Sequence, residues 1–184
     1  MNAVAALKRH VAEVTLAEIA TAAGVSRQAL YLHFGSRAGL LTEMVRNRDA
    51  YSGDVRRMIK AIQHPEPRAA VEQFVRLWFR HVQSILPVAR AMEASAPTDD
   101  AAQAALEDRM ETLRQAIAKV VDRLVEAKLL ADRWTPRQAI DWFWSRTHLD
   151  VWHHLAVDRR WDPDLVAERV AQSLWTDLVS DAPD

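Results

Sequence analysis

Residues 15–41 have the sequence TLAEIATAAGVSRQALYLHFGSRAGLL, and this stretch decides the fold of the N-terminal part of the chain. Thr15 and Glu18 stand three residues apart, which is the spacing of a capping box, so a helix is predicted to begin directly after Thr15. Gly24 ends that helix, because glycine adopts the positive φ angle that a tight turn between two helices requires. Ser26 is predicted to cap the next helix. The pattern therefore indicates a helix, a short turn and a second helix.

The second helix is predicted to have one buried face and one exposed face. Ala29, Leu30 and Phe34 recur at helical spacing and supply the inward face. Five side chains remain for the outward face, and most of them can form hydrogen bonds: Arg27, Gln28, Tyr31, Leu32 and His33. A third helix follows, capped by Ser36 and with Arg37 in its first turn. An exposed polar face on the second helix of a helix-turn-helix is the arrangement that reads DNA in the major groove.

Residues 23–41, AGVSRQALYLHFGSRAGLL, resemble the DNA-binding signature of TetR-family (tetracycline-repressor-like) transcriptional regulators. The order G-V-S, L-Y-x-H-F, a small residue with a basic one, and a pair of leucines is more specific than a bare helix-turn-helix pattern. The resemblance implies an all-α protein, in which an N-terminal three-helix DNA-binding domain is joined by a helix to a C-terminal helical domain that binds a ligand and dimerises. The helix-turn-helix stretch covers about a seventh of the chain, and the C-terminal part has no motif of comparable specificity.

We expect the DNA-binding domain to span residues 1–46 and the ligand-binding and dimerisation domain to span residues 47–184. Residues 1–48 have a formal charge of +3, which leaves −4 for the remainder. We call the DNA-binding domain the head and the rest of the chain the body. A basic head on an acidic body would direct only the head towards phosphates, although a charge excess of this size also arises from ordinary scatter of charge.

The helix that precedes the capping box in this family is predicted to be short here. Residues 1–10 are available for it, and Val4, Leu7 and Val11 give a single apolar stripe. Either the head is less stable than those of its relatives, or the native start lies upstream of Met1.

The exposed side chains divide by reach and chemistry. Arg27 and Gln28, at the start of the second helix, are predicted to contact base edges, since arginine suits guanine and glutamine suits adenine. Leu32 either touches a thymine methyl group or is simply exposed. Contacts with phosphate oxygens are expected from hydroxyl, imidazole and guanidinium groups, and the resemblance places Tyr31 and His33 at phosphate-contacting positions; the expected phosphate contacts are Thr15, Ser26, Tyr31, His33 and Arg37.

Beyond residue 46, periodic apolar positions predict helices separated by proline-containing joints. Thr135-Pro136 and Asp162-Pro163 each place a capping side chain before a proline, and Pro87 is also predicted to begin a helix. The predicted helices are 36–62, 67–85, 87–95, 99–128, 136–156 and 163–179. The head is thus predicted to be joined to the body by a continuous helix.

The body is rich in tryptophan and phenylalanine, which can line an apolar pocket between helices. The residues expected to line a ligand pocket are Trp78, Phe79, Met92, Trp142, Phe143 and His148. For any one of them, packing in the core or at a dimer interface is the better explanation, whereas the set as a whole is expected to include at least one residue that lines a pocket.

Helices 136–156 and 163–179 are expected to form the dimer interface, because a helix that is apolar on several faces must be buried on several faces. The expected interface residues are Trp152, Leu165, Val170, Leu174, Trp175 and Leu178. A two-fold symmetric dimer would place two recognition helices on half-sites about one duplex turn apart.

Several other classes of protein are disfavoured. The chain has no cysteine, which excludes disulfides and cysteine zinc sites, and no apolar run approaches the roughly 20 residues that span a bilayer. No activated nucleophile or phosphate-binding glycine loop is present, so we expect no enzyme activity and no cofactor. Asp150, His153 and His154 share a helical face, but they lack a further ligand group, and we expect a hydrogen-bonded cluster rather than a metal site.

We therefore expect a cytoplasmic homodimer that binds a double-stranded DNA operator and is released from it by a small, largely apolar effector. Repression relieved by the effector is the usual behaviour of the family. The alternative is a DNA-binding protein whose helical body is a structural or protein-interaction module without a ligand.

Overall fold

The computed structural model of the chain describes residues 15–180, without the side chains of residues 38 and 48–52. The predicted short first helix, with Val4, Leu7 and Val11, lies outside the described residues. No strand occurs among residues 15–180, and none of their helices combines the length and apolar character needed to cross a membrane. The elements are α1 (Leu16–Ala23), α2 (Arg27–Phe34), α3 (Arg37–Ser52), α4 (Asp54–Ile62), α5 (Pro67–Ser95), a 3₁₀ turn (Ala96–Thr98), α6 (Asp100–Glu126), α7 (Pro136–Thr147), α8 (Leu149–Trp152) with a π-helical continuation (His153–Asp158), and α9 (Pro163–Leu178).

The helix starts predicted from capping residues are confirmed. Thr15 and Thr135 each form a complete capping box, with Glu18 and Gln138 respectively. The side chain of Asp162 accepts hydrogen bonds from the first turn of α9, where Pro163 is the first helical residue. Local side-chain to backbone hydrogen bonds thus set these boundaries.

The first compact unit contains α1 to α3 together with residues 84–110. Leu41 and Val45 of α3 pack with Ala91 and Met92 of α5 in one buried apolar cluster. The C-terminal third of α5 therefore belongs to the core that holds the helix-turn-helix, although it lies far along the chain from the predicted boundary at residue 46.

The second compact unit contains residues 53–83 and the chain from residue 111 onwards. Its core includes a group of phenylalanines among aliphatic side chains: Phe74, Phe79 and Phe143 are almost completely buried, and the Phe74 and Phe143 rings meet edge to face with centroids 5.8 Å apart. The end of α9 is fixed to the loop after α6 by two backbone hydrogen bonds, from Ala131 N to Leu178 O and from Ser180 N to Leu129 O.

Two predicted helix boundaries are wrong. The predicted helix 36–62 is divided at Gly53, whose φ of +67° is in the left-handed region that favours glycine. Conversely, Pro87 does not begin a helix but lies inside α5. The ring removes the hydrogen bond to the Gln83 carbonyl, and the helix continues because buried residues on both sides of the proline, Val82 and Ala91, hold it in place.

The predicted helix 136–156 is also interrupted. The carbonyl of Thr147 accepts a 2.7 Å hydrogen bond from the buried indole Nε1 of Trp78. The hydroxyl of Thr147 bonds back to the Phe143 carbonyl at 2.9 Å, and His148 then adopts an extended conformation. Because this carbonyl is engaged by Trp78, α7 ends at Thr147 and α8 begins anew.

Gly39, in the first turn of α3, is predicted to be indispensable to the head. A Cβ atom at this position would lie 2.0 Å from the backbone oxygen of Phe34, which has no flexible end to move aside. We expect Gly39→Ala to destabilise the head by about 3 kcal/mol, the upper end of what overpacking costs. Thermal unfolding followed by circular dichroism measures the loss.

Gly24→Ala is the matched control. Its Cβ would meet nothing within 4 Å, but the φ of +68° imposes strain on alanine, which costs about 1–2 kcal/mol. If Gly39→Ala were no more harmful than Gly24→Ala, the close approach of Phe34 to Gly39 would be refuted.

Candidate DNA-binding surface

The second helix of the helix-turn-helix, α2, presents its polar face to solvent. Ser26 begins the helix by accepting the Ala29 amide at 3.0 Å, and Leu30 is the buried residue that holds α2 against its neighbours. All five residues predicted for the outward face are exposed, and Tyr31 and Leu32 are 61% and 82% exposed. Arg27, Gln28, Tyr31 and Leu32 thus share one exposed face of α2, whereas His33, two positions after Tyr31, is exposed on another side of the helix.

The first turn of α2 contains the two side chains predicted to read bases. Arg27 and Gln28 are exposed, and the first turn of α2 contains no acidic residue. Arginine offers a fork of donors and glutamine offers one donor and one acceptor group, which match the major-groove edges of guanine and adenine.

Three of the side chains predicted to contact phosphate are accessible for it: Tyr31, His33 and Ser26. The phenol and the imidazole are both exposed, on different sides of α2, and the Ser26 hydroxyl accepts from the helix while keeping its own proton to donate. The backbone amides at the start of α2 add the partial positive charge of a helix N-terminus.

Thr15 is committed to its own helix. Its amide and its hydroxyl both donate to Glu18 Oε2 at 2.8 Å, and its oxygen accepts the Glu18 amide at 3.3 Å. These hydrogen bonds, the backbone one first, hold the pKa of Glu18 below its ordinary value. The ionised carboxylate stabilises the start of α1, so Thr15 fixes the first helix of the motif.

Arg37 differs from the other predicted contact residues. It is half-buried, and its Nη1 donates a 2.7 Å hydrogen bond to Ser95 Oγ at the end of α5. Its guanidinium is therefore held within the first compact unit.

The compact unit that carries α2 is not basic. Besides residues 1–48 it contains Asp49 and residues 84–110, in which five carboxylates stand against two arginines, so its formal charge is −1. The predicted contrast between a basic head and an acidic body is therefore not a contrast between the two compact units. The pKa of Asp108 is lowered mainly by the hydrogen bond and charge of Arg109, and also by the charge of Arg46. Part of the head's positive charge thus faces carboxylates of the same unit.

The six residues predicted to line a ligand pocket do not all lie in one unit. Trp78, Phe79 and Phe143 are buried in the second unit, whereas Met92 lies in the core of the first. Trp142 is half-buried: its Nε1 donates to Asp177 Oδ2 at 3.0 Å, and the guanidinium of Arg146 lies 4.3 Å from its ring centroid. His148 accepts the Asp150 amide at the start of α8.

Most of the residues predicted for the dimer interface are buried within their own protomer. Trp152, Val170, Leu174 and Leu178 are less than a tenth exposed in the isolated chain. Trp175 is half-buried, with Arg68 over its ring at 5.7 Å. Leu165, which is 36% exposed, is thus the most accessible of the six.

The sequence analysis missed an exposed apolar patch next to Leu165. Val157 and Trp161 are 47% and 43% exposed, and both lie in the connection between α8 and α9. We call Val157, Trp161 and Leu165 the turn patch. The sequence shows the spacing of four residues, but Trp161 lies in the joint before Asp162-Pro163, where helical periodicity makes no prediction.

The histidines at the start of α8 and in its π-helical continuation lie close to carboxylates. His154 Nδ1 lies 3.3 Å and His153 Nδ1 3.9 Å from Asp158 Oδ2, and His148 Nδ1 lies 3.1 Å from Asp150 Oδ2. Between residues 15 and 180, no three such side chains form a group that would hold a metal ion.

Comparisons with known proteins agree with this geometry. Residues 6–44 match the family model described as "Bacterial regulatory proteins, tetR family". A comparison with curated protein sequences gives no match.

Solved structures resemble the chain over nearly its whole length. The fatty acid degradation regulator FadR from Bacillus halodurans has a TM-score of 0.72 at 14% identity, over 94% of this chain and 90% of that one. The TetR-family regulator PfmR from Thermus thermophilus has a TM-score of 0.64 at 22% identity, over 95% and 94%. The ketosteroid transcriptional regulator of Mycobacterium tuberculosis has a TM-score of 0.64 at 16% identity, over 97% and 92%. At these identities the likeness concerns the fold.

Proposed function

Because the chain belongs to the TetR family of bacterial regulatory proteins and is a DNA-binding transcriptional regulator rather than an enzyme, we propose that it is a homodimeric repressor. It binds a palindromic operator, and a small, largely apolar effector releases it. DNA binding resides in residues 1–46, and effector binding and dimerisation reside in residues 47–184.

The exposed face of α2 is the observation that supports sequence-specific binding best. Arg27 and Gln28 lie one helical turn before Tyr31 on a helix that is fixed at both ends, by the Ser26 cap and by the Gly35 amide bonding to the Tyr31 carbonyl. Rigid placement of base-reading and phosphate-contacting groups on one face is what direct readout requires. Tyr31, His33 and Ser26 set the register, and Arg27 and Gln28 read the sequence.

The interior of the second unit supports an apolar effector with a hydrogen-bond acceptor. Its buried side chains are mostly apolar, with five aromatic rings among aliphatic residues (Phe74, Trp78, Phe79, Phe143 and Trp152), and the buried indole Nε1 of Trp152 has no acceptor among the described residues. A buried donor without a partner costs about 1–3 kcal/mol, which a carbonyl or carboxylate oxygen of an effector would recover. Two regulators of the same fold are named for ketosteroids and for fatty acid degradation. Ketosteroids and fatty acids both combine an apolar body with such oxygens.

The turn patch supports homodimerisation. Val157, Trp161 and Leu165 are exposed apolar side chains spaced four residues apart, and exposed arginines and aspartates lie beside them in the chain: Arg159, Arg160, Asp162 and Asp164. An isologous contact needs a patch that is complementary to itself, and an apolar centre with both charge signs beside it meets that need. The second copy of the chain is thus the occupant of this surface.

Selection of duplexes from a random DNA pool tests the proposed function. We expect the purified protein at physiological salt to enrich an inverted repeat with half-sites about one duplex turn apart. The recovered duplex then serves as the probe for release by candidate effectors such as a long-chain fatty acid or a 3-ketosteroid. Enrichment of no sequence by the folded dimer would contradict the proposal, and release by no apolar compound would favour a structural body without a ligand.

The proposed division of α2 residues into base-reading and phosphate-contacting groups is tested on the same operator. We expect Arg27→Ala and Gln28→Ala to reduce discrimination against single-base changes by roughly 1–3 kcal/mol per lost contact. Tyr31→Phe removes only a hydroxyl and is expected to weaken binding about equally on all sequences. Fluorescence anisotropy on a panel of single-base operator variants measures both effects. Equal loss on every variant from both kinds of substitution would show that the assignment is wrong.

Dimerisation through the turn patch is tested by sedimentation. We expect Trp161→Ala to raise the dimer dissociation constant by at least about tenfold, since buried tryptophans at the centre of an interface typically contribute 2 kcal/mol or more. Val125→Ala is the matched control, because Val125 is 42% exposed on α6 and lies outside the turn patch.

The chain has no cysteine, so Leu165→Cys also gives a unique site for a short bismaleimide cross-linker. Absence of cross-linked dimer together with unchanged dissociation in Trp161→Ala would exclude the turn patch as the interface.

A further inference from the structure

The side chain of Arg37 joins the start of α3 to the end of α5. Its Nη1 donates to Ser95 Oγ at 2.7 Å across 58 residues of sequence. The Ser95 hydroxyl in turn donates to the Ala91 carbonyl at 2.8 Å, which fixes the rotamer of the serine. The guanidinium therefore meets an acceptor that is itself held in place.

Apolar packing surrounds this hydrogen bond on the same two helices. Leu41 and Val45, one and two turns after Arg37, pack with Ala91 and Met92, one turn before Ser95. The polar contact and the apolar cluster hold the same pair of elements, α3 and the last turns of α5, inside the first compact unit. The hydrogen bond adds direction to a contact that packing alone would leave free to slide.

We propose that Arg37 is a positioning residue for DNA binding and not a phosphate contact. By holding the first turn of α3 to Ser95, it fixes the Gly35-Ser36 turn and so the angle at which α2 is presented. The inference rests on the proposed function and deepens it, because it names a residue that operator binding requires without contact to the duplex.

The salt dependence of operator binding separates the two roles. A residue that contacts a phosphate releases a counterion, so each lost contact lowers the steepness of log K against log salt by about 0.9, and a homodimer loses one contact on each half-site. A positioning residue changes affinity and leaves that slope as it is in the unmodified chain. The slope is thus a readout that a structural role does not move.

The experiment measures operator affinity between 50 and roughly 300 mM salt, a range over which phosphate contacts change binding strongly, for Arg37→Met, Ser95→Ala and the double variant. We expect each single variant to weaken binding about tenfold, as for loss of one charge-assisted hydrogen bond. The double variant is expected to bind no more weakly than the weaker single variant, with the slope unchanged in all three. Ser95→Thr keeps the hydroxyl and is expected to retain binding.

Arg90→Met is the matched control, since Arg90 also lies on α5 in the first unit but pairs with Glu93 one turn away. We expect it to leave both affinity and slope unchanged. A slope reduced by about 0.9 per protomer in Arg37→Met, with full affinity in Ser95→Ala, would overturn the positioning role while leaving the proposed function intact. Failure of the unmodified chain to bind any operator would instead overturn the proposed function. Ser95→Ala removes a single oxygen, so it keeps the test decisive if Arg37→Met fails to fold.

Discussion

The packing of one helix, α5, is the constraint on which the rest of the structure depends. Its first four turns supply Phe74 and Phe79 to the core of the second unit, and its last two turns supply Ala91 and Met92 to the core of the first. A proline within a helix interior costs about 3 kcal/mol. On each side of Pro87, buried aliphatic or aromatic side chains each contribute about 1.5–3 kcal/mol to stability. Their burial therefore outweighs the cost of the missing hydrogen bond.

The positions at which the chain passes between the two units follow from the same balance. One passage lies between Ser52 and Gly53, where a positive φ separates α3 from α4, and another lies between Gln83 and Ser84, at the carbonyl that Pro87 leaves without its helical partner. Both are places where the backbone hydrogen-bond ladder is weakened, and changes in conformation concentrate at such places. The third passage, at Met110 in α6, has no such irregularity.

What could be predicted from the sequence is what depends on neighbours within one helical turn. The caps at Thr15, Ser26 and Asp162 are interactions between residues two or three positions apart, and each is formed as predicted. The exposed face of α2 follows in the same way, because an eight-residue helix has one side to bury, and Leu30 occupies it while the polar side chains are left outside.

Contacts between residues far apart in the chain could not be read in this way. The end of α7 is set by the indole of Trp78, 69 residues away, and the burial of Leu174 and Leu178 depends on which helices cover α9. An apolar stripe shows that a face is covered, but it does not distinguish a neighbouring helix of the same protomer from a second copy. The turn patch was overlooked for the converse reason, since its residues lie in a joint where periodicity gives no signal.

The charge of the first unit places a further limit on how this protein finds DNA. With a formal charge of −1 the unit has no net attraction for a polyanion at long range, and at physiological salt charges are screened beyond about 8 Å. Affinity must then come from groups that touch the duplex, and α2 supplies few of these. A protein of this kind gains little from non-specific electrostatic binding, so a larger share of its binding free energy depends on correct presentation of α2. The contacts that orient α2, from the Ser26 cap to the Arg37–Ser95 hydrogen bond, are for this reason as important to recognition as the side chains that reach the bases.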